Sequence, residues 1–528
     1  MRGKQFRTVT RKRLPRAKLD LSHERKLTCD PFFLIPILCD KVIPGDKWKI
    51  GNELVIRMNP LVAPIMHKIK AFIHYYFVPF RLLWDDWENY ITGGRDGKFT
   101  AQIPTINMSS IEAGSLYNHL FGHASGYNGS NPMGYLKQRP QAFPHKAYNL
   151  IYNEYYRDQN LQEEIDLDWT NEETKDLHIR AWGKDYFTSM LPWQQRGDAP
   201  AFPIQGNLNA VFQPMGEGAF NHSTVSGMMV GLQHQDTVGN IVNLQTLISA
   251  PLSPDGKTAG AFKNYLDNNI INMQNAVTFG VSELRYGFQI QRFLERMART
   301  GARYSEFIKG TYDANPADYR LGRPEYIGGS MTPVIISEVL QTSSSDSTTP
   351  QGNMAGHGLS ADRTYIANYY AQEHGLIMGL LSVMPQADYF QGVDRVWLGE
   401  SRFDEYIPDF MNLSEQAVTY PELFNIAGSP DEIIGYIGRY DEYRYKRNTL
   451  AGLFAKVNGG LFHWHMARIF HTPPALNLDL IRPSLSEIQA LKRVLAVPSE
   501  DMFLITIGNR CHVTRSISWI ATPGLIDH

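Results

Sequence analysis

Three histidines near the C-terminus, His463, His465 and His471, are the first candidates for chemistry. On a strand, His463 and His465 share a face at a spacing that a metal ion uses. No acid or cysteine nearby completes a ligand set, and Trp464 between them suits packing, so structural histidines are expected. Gly256, Lys257 and Thr258 imitate the end of a phosphate-binding loop, but Pro251 stands where its first glycine belongs. Asp166 and Asp168 open a stretch resembling a calcium loop. Asn171 replaces its turn glycine and Leu177 its closing glutamate. No GxSxG elbow, HExxH pair or GxGxxG turn occurs. Asp85, Asp86 and Glu88 read as the solvated side of a helix. These patterns predict no catalysis, no cofactor and no metal.

Basic residues offer a second kind of chemistry. Arg2, Lys4, Arg7, Arg11, Lys12, Arg13, Arg16 and Lys18 recur at intervals of two to four, and Pro15 prevents one continuous helix. Only Phe6 interleaves with them, so base stacking is a minor contribution and phosphate contact without sequence preference is expected. The chain of 528 residues holds 51 Lys/Arg and 53 Asp/Glu, a net charge of −2. That total hides an arm, residues 1–30, whose first 26 residues carry ten Lys/Arg against Asp20 and Glu24. The remainder is acidic, which argues against extensive wrapping by nucleic acid. Cys29, Cys39 and Cys511 are too few for a disulfide framework and are expected as free thiols in a cytosolic setting. No apolar run approaches the ~18 residues of a membrane helix, and no apolar stretch follows the basic start within signal-peptide range. No membrane insertion is expected, and the protein reads as soluble and made where it is used.

The elements that position these residues are mostly short strands. Phe32–Leu38 is nearly all apolar, and Lys47–Met58 spaces Trp48, Ile50, Leu54 and Ile56 on one face. Ile69–Val78 alternates up to Pro79, and Val334–Leu340, Leu376–Met384, Met502–Ile507 and Cys511–Ser516 are further strands. Their scatter from residue 32 to 516 predicts a mainly β fold, a sandwich or jelly roll, assembled from the whole length as one domain over residues 31–528. A few helices accompany it. Arg81–Ile91 places Leu83, Trp84, Trp87 and Ile91 on one face; Ala142–Leu161 carries Tyr148, Ile151, Tyr152, Tyr155 and Tyr156. Glu283–Thr300 sets Leu284, Phe288, Phe293, Leu294 and Met297 against Arg285, Arg292, Arg296 and Arg299, with Gly301 as its stop. All three stripes are expected to face a core. Trp84, Trp87 and Trp193 are candidate anchors of a core or of a subunit interface.

Residues 205–282 contain only six charged residues, with ten Asn and nine Gly. The stretch reads as an exposed surface insertion that meets a partner, because uncharged apolar loops are unfavourable in water alone. Met228, Met229 and His234 are its candidate contacts; methionine suits an adaptable surface. Gln341–Gly358, rich in Ser and Thr, reads as a mobile surface loop.

Several runs, in order, resemble one family. They begin with Phe33-Leu34-Ile35-Pro36-Ile37, Val42-Ile43-Pro44-Gly45-Asp46 and Tyr76-Phe77-Val78-Pro79-Phe80-Arg81-Leu82-Leu83-Trp84-Asp85-Asp86-Trp87. Asp185-Tyr186-Phe187-Thr188, Leu191-Pro192-Trp193, Leu284-Arg285-Tyr286 and Gln289-Ile290-Gln291 follow. Arg323–Gly329, Glu373-His374-Gly375, Tyr440, Tyr443–Lys446 and Pro523–His528 complete the set. Together they resemble the major capsid proteins of gokushoviruses, the small single-stranded DNA phages of the Microviridae. The resemblance implies an eight-stranded jelly roll with very long interstrand loops. It implies a sixty-copy, T=1 icosahedral shell around circular single-stranded DNA, with 205–282 as a protrusion near the threefold axes that meets a host surface receptor. An internal scaffolding protein and a DNA pilot protein of the same virus are implied partners. The virion, assembled in the host bacterial cytoplasm, is the implied location. The cations of the basic arm, read by themselves as phosphate contacts, place it on the inner face of the shell against the DNA, with a grip on a neighbouring subunit's acidic surface as the alternative. A carbohydrate-binding or hydrolytic jelly roll and a nucleic-acid binder that builds no shell remain the alternatives.

Overall fold

Alternation along Lys47–Met58 is the simplest start, because the strand has those bounds and buries Trp48, Ile50, Leu54, Ile56 and Met58 while Lys47, Lys49, Glu53 and Arg57 point outward. The computed structural model describes residues 15–106, 113–122, 140–167, 176–200, 220–221, 233–235, 241–243, 281–340, 354–425 and 432–520. It divides into two compact units, residues 1–196 with 294–528, and residues 197–293.

The first unit is mainly antiparallel β. Its strands are β1 (Ala17–Asp20), β2 (His23–Cys29), β3 (Ile35–Val42), β4 (Lys47–Met58) and β5 (Ile69–Pro79). After β6 to β8 of the second unit come β9 (Glu325–Leu340), β10 (Met354–Tyr370) and β11 (Gly375–Pro385). The small pair β12 (Gln416–Thr419) and β13 (Ile433–Ile437) and the long β14 (Phe503–Arg515) close the chain. The sheet order is β1-β14-β4-β10-β9-β5-β11-β3, with β2 also on β14. Because β1 and β2 follow one another along the same edge of β14, the sheet has eight strand positions. It curls at β9, whose first part pairs with β5 and whose last part pairs with β10, so one strand serves two halves around a single core. This is the architecture expected of a jelly roll.

The two halves differ in what covers them. Every residue of β11 is buried, because one side faces the main core and the other meets a second core. That second core is roofed by α1 (Trp87–Thr92), α2 (Leu116–Phe121) and α3 (Phe143–Ile151), the last continued as a π-helical turn over Tyr152–Tyr156. Tyr148, Ile151 and Tyr152 are buried there as their spacing predicts, although the helix stops five residues short of Leu161. The outward face of β14, β4 and β10 stays exposed.

Other expectations change. Met502–Ile507 and Cys511–Ser516 are one strand, since Gly508 continues the ladder against Glu53. Residues 354–358 of the expected loop belong to β10, where Gly356 and Gly358 let the strand approach the backbone of Ala63 and Pro64 and the side chain of Met58. Arg81–Ile91 is not one helix: a 3-10 turn at Phe80–Leu82 precedes α1. The Glu283–Thr300 helix exists as α4 (Val281–Thr300), followed by Gly301 at φ +97°, but Leu284, Phe288 and Phe293 are exposed, Leu294 and Met297 are half-buried, and its stripe joins none of the cores formed by the described residues. Periodicity reports an amphipathic helix, not what covers it.

In the second unit, β6 (Phe220–Asn221), β7 (Gln233–Gln235) and β8 (Ile241–Asn243) form a three-stranded antiparallel sheet. The unit encloses the stretch 205–282 read as an insertion.

Candidate assembly and interaction surfaces

Trp84 and Trp87 sit at the rim of the second core. Pro79 ends β5, and the amides of Leu83 and Trp84 both donate to the Phe80 carbonyl, which turns the chain over α3. The Trp87 ring meets the edge of Phe80 at 4.7 Å, Phe143 at 5.7 Å and His374 at 5.6 Å; Trp84 lies 5.5 Å from Tyr90. Both indoles are half-buried, so each has a packed side and a solvent side. Arg81 holds Glu373 through Nε at 2.8 Å and Nη2 at 3.3 Å beside them. Trp193 is also half-buried, with the Arg196 guanidinium 6.0 Å from its ring centre.

The remaining predicted contacts separate. His234 pairs with Phe220 and Val242 in the small sheet, whereas Met228 and Met229 lie outside the described residues. Of the arm cations, Arg2, Lys4, Arg7, Arg11, Lys12 and Arg13 also lie outside them, while Arg16 and Lys18 are exposed at the start of β1. Arg25 serves structure: its guanidinium donates to the carbonyls of Pro36 and His119.

Buried charge marks the place where an enzyme would be sought. Glu422 is buried and accepts from Tyr186 at 2.8 Å and from Arg395 at 3.0 Å; Glu442 accepts from Gln416 at 2.5 Å. Burial pushes the Glu422 carboxyl up, and Arg395 opposes it. The space beside these groups is about 20 Å³, which excludes a sugar ring. The network ties together the separate segments that carry Tyr186, Arg395, Gln416, Glu422 and Glu442. His463 and His465 lie in and just after a 3-10 turn, not on a strand. His463 bonds the Arg493 carbonyl at 2.8 Å and His465 the Phe454 carbonyl at 3.0 Å. Among the described residues no group of three His, Cys, Asp or Glu is placed to hold a metal ion. Nor is any helix among them long and apolar enough to cross a membrane.

A histidine relay lies under the helical roof. The Asn149 amide donates to His145 Nε2 at 3.0 Å, and its oxygen accepts from His178 Nε2 at 2.8 Å. Tyr148 stacks on His178, accepts from its backbone N–H and donates to the Leu34 carbonyl at 2.7 Å. Both rings fit this relay as neutral imidazoles, since a second proton on His145 would face an amide donor. Burial lowers His145 to about 4. Burial, then the nearby His145 and Arg482, lowers His178 to about 3.

The long connection between β11 and β14 carries large exposed apolar groups: Trp397 (78% exposed), Leu453 (69%), Phe403, Tyr406, Met411 and Tyr445. So many on one connection fit a surface that is covered by other molecules. The aromatic-rich composition hinted at such contacts, but no local spacing separates these residues from core ones.

Comparison with known proteins agrees. Residues 7–525 match the family described as Capsid protein (F protein). Capsid protein VP1 of Chlamydia phage 1 is 32% identical over 595 aligned positions, which cover 99% of this chain and 97% of the relative. Capsid protein VP1 of Bdellovibrio phage phiMH2K is 31% identical, covering 92% and 90%, and that of Spiroplasma virus 4 is 27% identical, covering 97% and 96%.

Proposed function

The chain belongs to the phage Capsid protein (F protein) family, of the gokushovirus type its motifs resemble, and from that premise we propose that sixty copies build a T=1 icosahedral shell around circular single-stranded DNA. It is a structural protein of the virion, not an enzyme. The observation that carries the proposal is colinearity with proteins named capsid protein VP1, over 99% of this chain and 97% of the Chlamydia phage 1 relative. In this reading the exposed aromatics of the β11–β14 connection are covered by neighbouring copies. Closed symmetry gives each such patch a fixed partner. The stretch 205–282, with Met228, Met229 and His234, is presented outward to a host surface receptor, and the arm cations face the genome. An internal scaffolding protein and a DNA pilot protein assist assembly in the host bacterial cytoplasm.

Expression of the full chain, followed by size-exclusion chromatography and electron microscopy, tests this. Sixty chains of 60.0 kDa give particles of about 3.6 MDa. A monomer or small oligomer under all assembly conditions would refute the shell. Shortening the segment between about Gly218 and Lys257 should spare particle formation and reduce attachment to host cells. Unchanged attachment, or loss of particles, would refute its assigned role.

A further inference from the structure

We propose that the uncovered face of β14, β4 and β10 is a docking groove for single-stranded DNA, adding a folded surface to the arm; this rests on the reading of the chain as a genome-enclosing capsid protein. Helices roof the other half of the sheet, but here Lys47 and Lys49 on β4, Tyr365 and Tyr370 on β10 and His512 on β14 all point outward and are exposed. They line two adjoining depressions of about 680 and 340 Å³.

The register explains the arrangement. Lys47 stands opposite Tyr370 on one side and Thr514 on the other, and Thr514 in turn meets Lys18. One step along the same face, Lys49 stands between Asn368 and His512, with its ammonium 5.5 Å from the centre of the Tyr365 ring. Positions two apart on a strand lie about 6.8 Å apart on one face, comparable with the step between successive phosphates of an extended strand. Trp519, 70% exposed, flanks the first depression. Cations thus alternate with aromatic platforms, the combination that grips a single strand through its phosphates and its base faces.

Charge selects the occupant. Lys18, Lys47, Lys49, Arg363 and Arg510 line the two depressions against one carboxylate, Asp20, which faces His512 at 3.3 Å. Glu53 occupies Arg363 at 3.0 Å and Arg510 at 3.6 Å. Among the described residues Lys18, Lys47 and Lys49 have no carboxylate within 4.0 Å. These three are free for phosphates. No pairing of bases is read, so the groove has no sequence preference.

The test uses the full chain and a fluorescent thirty-nucleotide oligo(dT). Lys47→Gln with Lys49→Gln should weaken binding about tenfold at low salt and reduce the slope of log affinity against log salt by about 1.4. Both substitutions are on exposed side chains, so folding is unaffected. Oligo(dT) should quench tryptophan fluorescence, and Trp519→Phe should remove most of that quench. The same pair of measurements in a background with Arg11, Lys12, Arg13 and Arg16 changed to Gln isolates the groove from the arm. Equal affinity and slope in wild type and double variant would overturn the proposal, as would a quench indifferent to Trp519. If the double variant keeps its affinity but forms no particles, the occupant is a second copy of the chain and the proposal fails. Failure of the wild type to form particles refutes the shell instead, and the oligonucleotide titration still decides the groove.

Discussion

Acidification from pH 7 to pH 5 should destabilise the folded chain, and five enclosed histidines set the size of the loss. Burial lowers His74, His119, His145 and His465 to about 4 and His178 to about 3, from an ordinary value of 6.5. Arg25 adds to the effect at His119 and Arg493 at His465. A folded value below the unfolded one means that unfolding takes up protons. The stabilising contribution is complete above pH 6.5 and is lost as pH falls toward 4. At pH 5 the deficit is about 1.5 pH units per histidine, or about 2 kcal/mol each and about 10 kcal/mol for five. Asp30, Asp40, Glu325, Glu415, Glu422 and Glu487 act oppositely. Burial raises each, so the fold holds their protons more tightly and regains stability as pH falls. These carboxyls bring the loss at pH 5 below the histidine sum. A chain of this length has an unfolding entropy near 1.1 kcal/mol/K, so the thermal midpoint should fall, by up to about 9 °C from the histidines. Fluorescence-monitored melting of the purified chain between pH 7.5 and 5 measures this. His145→Gln should lower the midpoint at pH 7 but remove about one fifth of the histidine share of the acid-induced drop, because it deletes one of five proton-uptake sites. A midpoint that holds or rises at pH 5, or a variant with the full wild-type pH slope, would refute the assignment of these rings as neutral.

Three further outcomes test the packing. Trp87→Ala should cost about 3 kcal/mol by opening a gap beside Phe80 and Phe143, seen as a lower melting midpoint and a reduced yield of intact particles. Arg515→Ala should cost about 3–5 kcal/mol, since Arg515 Nη2 holds the fully buried Asp46 at 2.7 Å and its loss strands that carboxylate; urea unfolding reads it. Gly375→Ala should cost about 1–3 kcal/mol, because a Cβ there would lie 2.4 Å from the Val78 carbonyl oxygen and force β11 off β5; differential scanning calorimetry, with Gly97→Ala as a control for left-handed glycine strain in open space, separates the clash from backbone effects.

Much of the barrel was readable because burial on one face writes itself as alternation. β4 has its predicted bounds, and β5 and β11 differ by a residue or so at their ends. The charge asymmetry of the first 26 residues, the low charge of 205–282 and the ordered motifs of the family were equally legible, since each depends on composition or local order alone. The tyrosines of α3 and its π-helical extension were read correctly because a stripe with a core beside it is the commonest case.

The rest depended on neighbours distant in sequence. β10 gave no alternating signal, because its inward positions Gly356, Gly358 and Ser360 are small where the strand crosses Met58 and the Leu61–Pro64 segment. β1 and β2 read as part of a basic arm, since Lys18, Glu24 and Lys26 point outward, and only the free edge of β14 shows why Ala17, Leu19 and Leu27 are apolar between them. The helix Val281–Thr300 was legible as a helix, yet its apolar side joins no core among the described residues, because periodicity encodes a preference for cover and not the cover itself. Lys47 and Lys49 were visible only as the polar half of a strand. Their convergence with Lys18, Tyr370 and Trp519, from three other parts of the chain, exists only once pairing registers bring residues hundreds of positions apart onto one face. Sequence alone determined which residues want burial and where charge collects; tertiary structure decided which of those preferences are met within the chain and which are left for a partner, because pairing and cover are properties of contacts, not of residues.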